Sequence, residues 1–408
     1  MSSIIYALST RQVAGLWTTA IQSLHTTSIA ALATTQVAVL NAAQINSLTS
    51  TDLQFLATTQ VQALAPSVIS ALLDLQIQSF TTSQITELTT SQFTQLTASQ
   101  VGALTTDELQ NLSTTQASVL TPSVFGGLST IVLNNLSTTQ VAALSTSQLQ
   151  SLTTAQLNGL SIDTLDTIDV VKFTPVQVAG LNTTAIGNLT TAQIGTLTVD
   201  QAAALTAAQI SQLSTTDLAA LGTTQVSALA AAQLGSLGTT VLNNLSITQA
   251  AALTTAQIQG LGWPQLNGLS TNNLQAIDVT ELATQQTAGL NTTTFGHLTP
   301  SQVTALIAAQ IGAVSPANFG TLTTTNLAGL MSSQAGVLTS SQLAALTTVQ
   351  FGALSSTTAI PALSTAAIAG ISLDDIGALT TTQGQAFAIT QIGAMSIEQA
   401  SALAVLIE

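Results

Sequence analysis

Three aspartates and a lysine follow one another at intervals of three residues: Asp163, Asp166, Asp169 and Lys172. Hard cations such as Ca²⁺ are bound by several carboxylate and carbonyl oxygens. The three aspartates are therefore the candidate metal ligands of this chain, and calcium is the candidate cofactor. The alternative is that these side chains cap helices or lie in solvent, since aspartate is a preferred residue at helix starts.

Few other residues could support catalysis. The only histidines are His25 and His297, and the chain has no cysteine. The motifs of nucleophile elbows, phosphate loops and zinc sites are absent. Serine and threonine are abundant, but a catalytic triad also needs a positioned base. We therefore expect a protein without enzyme activity, which binds no cofactor other than the candidate calcium.

The elements that would position these residues follow from an eight-residue repeat. From Leu8 to Ile168 every eighth residue is apolar, and nearly all of these residues are leucine. Two steps of five residues, 168–173 and 277–282, and one step of nine residues, 354–363, interrupt the period. We number the positions of each octad from 0, at this apolar residue, to 7.

Each octad carries a helix-start signal. Position 1 is mostly Ser or Thr and position 4 is usually Gln, which is the pattern of a capping box, while the apolar residues at positions 0 and 5 match a hydrophobic staple. Position 7 is commonly Ala, Gly, Ser or Asn, which would let neighbouring turns approach closely. Proline is favoured as the first residue of a helix. Five of the seven prolines stand at position 2, where the helix would begin: Pro66, Pro122, Pro175, Pro300 and Pro316.

The repeat predicts an all-α solenoid of about fifty short helices, each of about two turns, which are stable only when stacked on one another. Residues 1–408 form one continuous solenoid in this prediction, with 404–408 as a short C-terminal tail. The alternative is a β-solenoid, because Thr, Val and Ile favour strands. In a strand, however, positions 0 and 5 would point to opposite faces. A longer duplication overlies the octads, since residues 160–189 resemble residues 269–298, 109 positions later.

Composition excludes several classes of partner. Charged residues make up 4% of the chain, with two cations and a net charge of −14. Nucleic acid and anionic membrane surfaces are therefore not expected as partners, because both are recognised through Lys and Arg. No apolar run reaches the length of a membrane-spanning helix, so membrane insertion is not expected. The start of the chain also lacks the features of a secretory signal peptide.

The aromatic residues are expected in the core, because they occupy or adjoin the apolar positions of the octads. Examples are Trp17, Trp263, Phe80, Phe93, Phe351 and Phe387.

In composition the chain resembles bacterial proteins exported by type I systems, including S-layer proteins, large adhesins and biofilm-matrix proteins. It shares their richness in Thr, Ala, Leu, Ser and Gln, their acidity and their lack of cysteine. The resemblance implies a protein secreted without a leader to the cell surface or the extracellular space. The glycine-rich calcium nonapeptide of such proteins is absent from this sequence.

The pattern begins by Leu8 and persists to Leu403 without the atypical capping repeats that usually close a solenoid. Contacts of one surface patch with a different patch on the next copy generate filaments or sheets. We therefore expect an extracellular structural protein whose partner is itself, assembled head-to-tail or laterally into filaments, a sheath, biofilm matrix or a surface layer. The alternative is an adhesin stalk or an ice-binding repeat protein, with carbohydrate or ice as the partner.

Overall fold

The computed structural model describes residues 5–408, without the side chain of Tyr6. This part of the chain consists of short helices with no β-strand among them. The prediction of an all-α solenoid is confirmed, and the β-solenoid alternative is wrong. The helices fall into two compact units, Met1–Ala204 and Leu205–Glu408.

The described part of the first unit contains two 3-10 helices, η1 (Ile5–Ala7) and η2 (Val170–Lys172), and helices α1 to α24. In chain order, α1 to α24 span Thr10–Ala14, Thr18–Gln22, Thr26–Ala30, Thr34–Val37, Ala42–Asn46, Ser50–Gln54, Thr58–Ala63, Pro66–Ser70, Asp74–Ser79, Thr82–Thr86, Thr90–Phe93, Ala98–Gly102, Thr106–Asn111, Thr114–Val119, Pro122–Gly127, Thr130–Asn134, Thr138–Ala142, Thr146–Gln150, Thr154–Asn158, Ile162–Thr167, Pro175–Gly180, Thr183–Gly187, Thr191–Thr196 and Val199–Ala203.

The second unit contains three 3-10 helices, η3 (Val279–Glu281), η4 (Ile360–Ala362) and η5 (Ile368–Gly370), and helices α25 to α46. In chain order, α25 to α46 span Ala207–Gln212, Thr215–Ala220, Thr223–Ala228, Ala231–Gly235, Thr239–Leu242, Ile247–Ala251, Thr255–Gly260, Trp263–Asn267, Thr271–Ala276, Thr284–Ala288, Thr292–Gly296, Pro300–Ala305, Ala308–Ala313, Pro316–Phe319, Thr324–Ala328, Ser332–Ala335, Ser340–Ala344, Thr348–Phe351, Leu373–Gly377, Thr381–Gly384, Ile389–Ile392 and Ile397–Ile407.

The helices begin where the octads predict. At α19 the Thr153 hydroxyl accepts a hydrogen bond from the Gln156 backbone N–H at 3.2 Å, and Gln156 Oε1 accepts from the Thr153 N–H at 2.7 Å. This reciprocal pair satisfies two backbone donors that a helix start leaves without partners. The five prolines placed at position 2 each form the first residue of a helix, as predicted.

Within each unit, a helix packs against the third element after it. In the first unit α1 packs on α4 and α4 on α7, and in the second α28 packs on α31 and α37 on α40. Three octads therefore make about one turn of the stack, a number that the sequence alone did not supply. Positions 0 and 5 face the interior, and short helices become stable because this apolar surface is buried between turns.

Buried glutamines connect successive turns. Gln92 is fully buried, and its Nε2 donates to the backbone carbonyls of Val61 at 2.9 Å and Leu64 at 2.8 Å, which lie 31 and 28 residues earlier. Its Oε1 meanwhile accepts from the backbone N–H of Thr89 at 2.9 Å. The same amide thus caps its own helix and binds the turn before it. A buried amide needs such partners, because an unsatisfied buried polar group costs about 1–3 kcal/mol.

The five-residue steps keep this arrangement while omitting one α-helix. Val170 is buried, and its carbonyl accepts from Gln201 Nε2 at 2.8 Å, the role that a position 5 residue has elsewhere. In the second unit the Val279 carbonyl accepts from Gln310 Nε2 at 2.9 Å in the same way. Each short step therefore replaces a full octad, with positions 2 to 4 removed and a 3-10 helix in place of the α-helix.

Two expectations about the surface need correction or extension. The phenylalanines expected in the core are buried, but Trp17 is 82% exposed and Trp263 is 54% exposed, so the prediction of core packing is wrong for both tryptophans. Trp17 stands at position 1 and Trp263 at position 2, where the helix starts and the side chains face outward. Residues 404–407, expected in a short tail, continue helix α46, which packs on both α43 and α44.

Candidate interaction surfaces

The structure does not bring the candidate calcium ligands together. Asp163 and Asp166 lie on α20 and are exposed. Asp169 is the N-cap of η2, where its Oδ1 accepts from the Val171 N–H at 3.3 Å and its Oδ2 lies 3.8 Å from Lys172 Nζ. No three His, Cys, Asp or Glu side chains in residues 5–408 are grouped closely enough to hold a metal ion. The calcium site stays a prediction from sequence spacing.

Lys172 has a role that the sequence did not indicate. Its ammonium group donates to the backbone carbonyl of Leu144 at 3.0 Å, 28 residues earlier. This is the acceptor that a position 4 glutamine would use, and the five-residue step has lost its glutamine. The corresponding residue 109 positions later is Glu281, which has no donor to offer. Lys172 therefore replaces the glutamine link in the first unit alone.

The histidines lie on the surface. His25 is the N-cap residue of α3, and His297 is the C-cap residue of α35. The Nδ1 atom of His297 lies 3.4 Å from the Thr271 hydroxyl. Within the described residues neither imidazole has the carboxylate partner that orients a catalytic base.

A column of threonine hydroxyls follows one side of the first unit. The first residues of α1, α4, α7, α10 and α13, helices that stack in this order, are all threonine and are exposed or half-buried. They are Thr10, Thr34, Thr58, Thr82 and Thr106. The capping hydroxyls at position 1 are used by the helix starts, but in residues 5–408 the hydroxyls of this column bind no other protein group. The 24-residue interval between them is the sequence signal for the column.

Three strongly exposed aliphatic side chains lie on the last two helices. Ile389, Ile397 and Val405 are 89%, 84% and 77% exposed, and each stands at position 2 of one of the last three octads. Threonine is common at this position elsewhere in the chain. The sequence signal was therefore an aliphatic residue in place of threonine at position 2. That such a residue is exposed follows only from the stacked structure, which shows what covers position 2.

The first turn is also incompletely covered by residues 5–408. Leu8, Leu16 and Leu24 are half-buried, whereas the equivalent residues one turn later, beginning with Leu32 and Leu40, are buried. The three half-buried leucines line a cavity of about 190 Å³ together with Ile5 and neighbouring residues. Apolar surface that is left exposed in this way is typical of contact sites.

These features define an all-α repeat solenoid. The family model of the ALTTAQ repeat matches residues 170–207, a stretch that contains Leu-Thr-Thr-Ala-Gln at residues 189–193. Among solved structures, the chain is similar to the leucine-rich repeat-containing protein LegL7 from Legionella pneumophila, at 14% identity and a TM-score of 0.14, over 64% of this chain and 80% of that one. No curated protein matches the chain. None of the helices in residues 5–408 has both the length and the apolar character needed to cross a membrane.

Proposed function

We propose that this chain is an extracellular structural protein that associates with further copies of itself into filaments or layers. The observation that carries the proposal is the group of exposed aliphatic side chains on the last two helices, Ile389, Ile397 and Val405. Exposed apolar patches on soluble proteins commonly mark contact sites. Charged residues, which oppose unwanted association, make up 4% of the chain. The cell-surface location rests on the compositional resemblance to type I-exported proteins.

The proposal is tested with the purified full-length chain. Sedimentation velocity over a concentration series, with electron microscopy of the same samples, is expected to show assemblies that grow with concentration. Ile389→Lys and Ile397→Lys should reduce assembly, because a lysine at the contact would bury an unpaired charge. Val176→Lys is the matched control, since Val176 is 78% exposed but lies in the first unit. A chain that stays monomeric at high concentration would overturn the proposal.

The threonine column favours a second candidate function, which is binding to ice. Thr10, Thr34, Thr58, Thr82 and Thr106 present a regular row of hydroxyls that bind no other protein group in the described residues. A row of this kind could order water on an uncharged surface.

Thermal hysteresis measurements test this candidate. The double variant Thr34→Glu and Thr82→Glu should abolish hysteresis while keeping the fold, because acidic residues are favoured in the first turn of a helix. Thr223→Glu with Thr381→Glu is the control, since these exposed threonines also begin helices but lie outside the column. Absence of hysteresis in the unmodified chain would exclude ice binding.

A further inference from the structure

Close contacts between turns follow a fixed rule within each unit. The residue at position 7 of an octad lies over the residue at position 2 of the octad that comes three octads earlier in the chain. A methyl group added at Gly159 would lie 2.6 Å from Thr130 Cγ2, and one added at Gly127 would lie 2.8 Å from Ala98 Cβ. In the second unit, a methyl group at Gly260 would lie 2.9 Å from Ala231 Cβ. A small residue at position 7 is thus what lets the next turn approach.

This rule gives a meaning to the residues at the two ends of the described chain. Ile389 and Ile397 stand at position 2 as the first residues of α45 and α46, and no later turn within residues 5–408 covers them. In the first two octads, position 7 is occupied by Gly15 and Ser23, which are small and exposed. The two pairs have the residue types found in position 7 to position 2 contacts within a unit.

The glutamine bonds between turns also indicate that the first turn fits on the last one. Gln36 Nε2 donates to the backbone carbonyls of Ile5 and Leu8 at 3.0 and 2.8 Å. Gln12 caps Ser9 through its Oε1 at 2.8 Å, but its Nε2 has no acceptor within residues 5–408. If a further turn followed Leu403 with the ordinary offsets, its glutamine would reach the carbonyls of Gly384 and Phe387. The first turn therefore offers a donor that fits the acceptors of the last turn.

The charges of the two surfaces are complementary. Residues 1–51 contain one cation, Arg11, and no Asp or Glu, whereas α46 carries Glu398 and the chain ends with Glu408. Hydrogen bonds from the backbone N–H of Glu398 and from the Ser396 hydroxyl lower the pKa of the Glu398 carboxyl, so it is ionised at neutral pH. Surfaces of opposite sign favour productive encounter between copies.

We propose that α1 and α2 of one copy stack on α45 and on the start of α46 of a second copy, in the same register that successive turns use within a unit. Gly15 and Ser23 then cover Ile389 and Ile397, and the half-buried Leu8 and Leu16 become covered by the second copy. This inference rests on the proposed self-association and specifies its geometry. A contact between two different surfaces of identical chains propagates into a linear assembly.

Disulfide cross-linking tests the register directly, because the chain has no cysteine of its own. One batch carries Gly15→Cys and a second batch carries Ile389→Cys. The two are mixed under oxidising conditions after circular dichroism has shown that both keep the helical fold. Residues in contact across the proposed interface meet the Cα separation that a disulfide requires, about 4.4–6.8 Å. We expect a covalent dimer in the mixture on a non-reducing gel.

Two controls make the result specific. Gly15→Cys mixed with Val176→Cys should give much less dimer, since Val176 is similarly exposed but belongs to α21 and not to α45 or α46. Dimer formation by the first mixture should also fall as salt concentration rises, because salt screens exposed charges.

The outcomes separate the two proposals. Selective dimer formation between Gly15→Cys and Ile389→Cys supports the register. Assemblies in the electron microscope without selective cross-linking would overturn the register and leave self-association standing. A chain that neither assembles nor cross-links would overturn both.

Discussion

The backbone N–H of Ser161 donates to Oδ1 of Asn134 at 2.8 Å, across one turn of the first unit. Asn134 Nδ2 also donates to the Gly159 carbonyl at 3.0 Å. In most octads the position 1 N–H is bound by the glutamine at position 4 of the same octad. Here position 4 is Thr164, which is too short, and an asparagine from an earlier turn binds the N–H instead. The pair recurs 109 residues later, where the Ser270 N–H donates to Asn243 Oδ1 at 2.7 Å.

Replacing Asn134 should therefore cost more than replacing its counterpart Asn46. Asn134→Ala leaves the Ser161 N–H without a partner, at a cost of about 1–3 kcal/mol. Asn46 binds the Leu73 N–H at 3.2 Å, but Gln76 lies in that octad and its buried Oε1 has no partner. In Asn46→Ala this oxygen can accept from Leu73. Hydrogen exchange should show loss of protection at Ser161 in the first variant and retained protection at Leu73 in the second.

Equal loss of protection in both variants would contradict the explanation that Asn134 takes the capping role of the missing position 4 glutamine. Asn243→Ala provides an independent copy of the experiment in the second unit, where it should expose the Ser270 N–H in the same way.

The octads predicted the local structure well, because caps, staples and position 2 prolines act within eight residues. The contacts between turns were not predictable, since the offsets of 28 and 31 residues depend on how many octads complete a turn. The contacts of Lys172, Asn134 and the tryptophans depend on the stacking of turns, so the sequence did not predict them. The spacing of Asp163, Asp166 and Asp169 suggested one cluster, but Asp169 lies beyond the end of α20 and caps the next element.

Asn326→Gln should stabilise the second unit. Asn326 is buried at position 4, where its Oδ1 accepts from the Thr323 N–H at 2.9 Å while its Nδ2 has no partner. The side chain is one methylene shorter than glutamine, so it caps its own helix but does not reach the previous turn. Glutamine would reach the carbonyls of Phe295 and Leu298 by the usual offsets. We expect a gain of about 1–2 kcal/mol, measured by urea unfolding.

Asn318→Gln is the matched control for this gain. Asn318 binds the previous turn and not the start of its own helix, since its Nδ2 donates to the Leu290 carbonyl at 2.7 Å. Its side-chain donor is therefore already bound, and glutamine would add only an acceptor for the half-buried Ser315 N–H, so the substitution should stabilise less than Asn326→Gln. A larger gain at position 318 would contradict the explanation.

Lys172→Met should destabilise the first unit by about 1–2 kcal/mol, because the Leu144 carbonyl loses its charged donor. The neighbouring ion pair is a separate contribution, and Asp169→Asn tests it alone. Lys172 and Asp169 are 3.8 Å apart and partly exposed, and exposed pairs contribute about 0–1 kcal/mol. Thermal unfolding of the two variants should rank Lys172→Met as the more destabilised. If Asp169→Asn were the more destabilised variant, the contribution of Lys172 would come from the ion pair with Asp169.

Gly159→Ala tests the close approach of turns on which the proposed contact between copies depends. The added methyl group would lie 2.6 Å from Thr130 Cγ2, so the variant should lose about 1–3 kcal/mol through overpacking. Thr130→Ala in the same chain removes that methyl group and should restore part of the loss. Gly102→Ala is the control, because a methyl group there meets nothing within 4 Å and alanine favours a helix by up to about 1 kcal/mol. Unfolding midpoints in urea should therefore fall for Gly159→Ala, recover in the double variant and hold or rise for Gly102→Ala. A neutral Gly159→Ala would show that neighbouring turns can separate without cost, and would remove the physical reason for small residues at position 7.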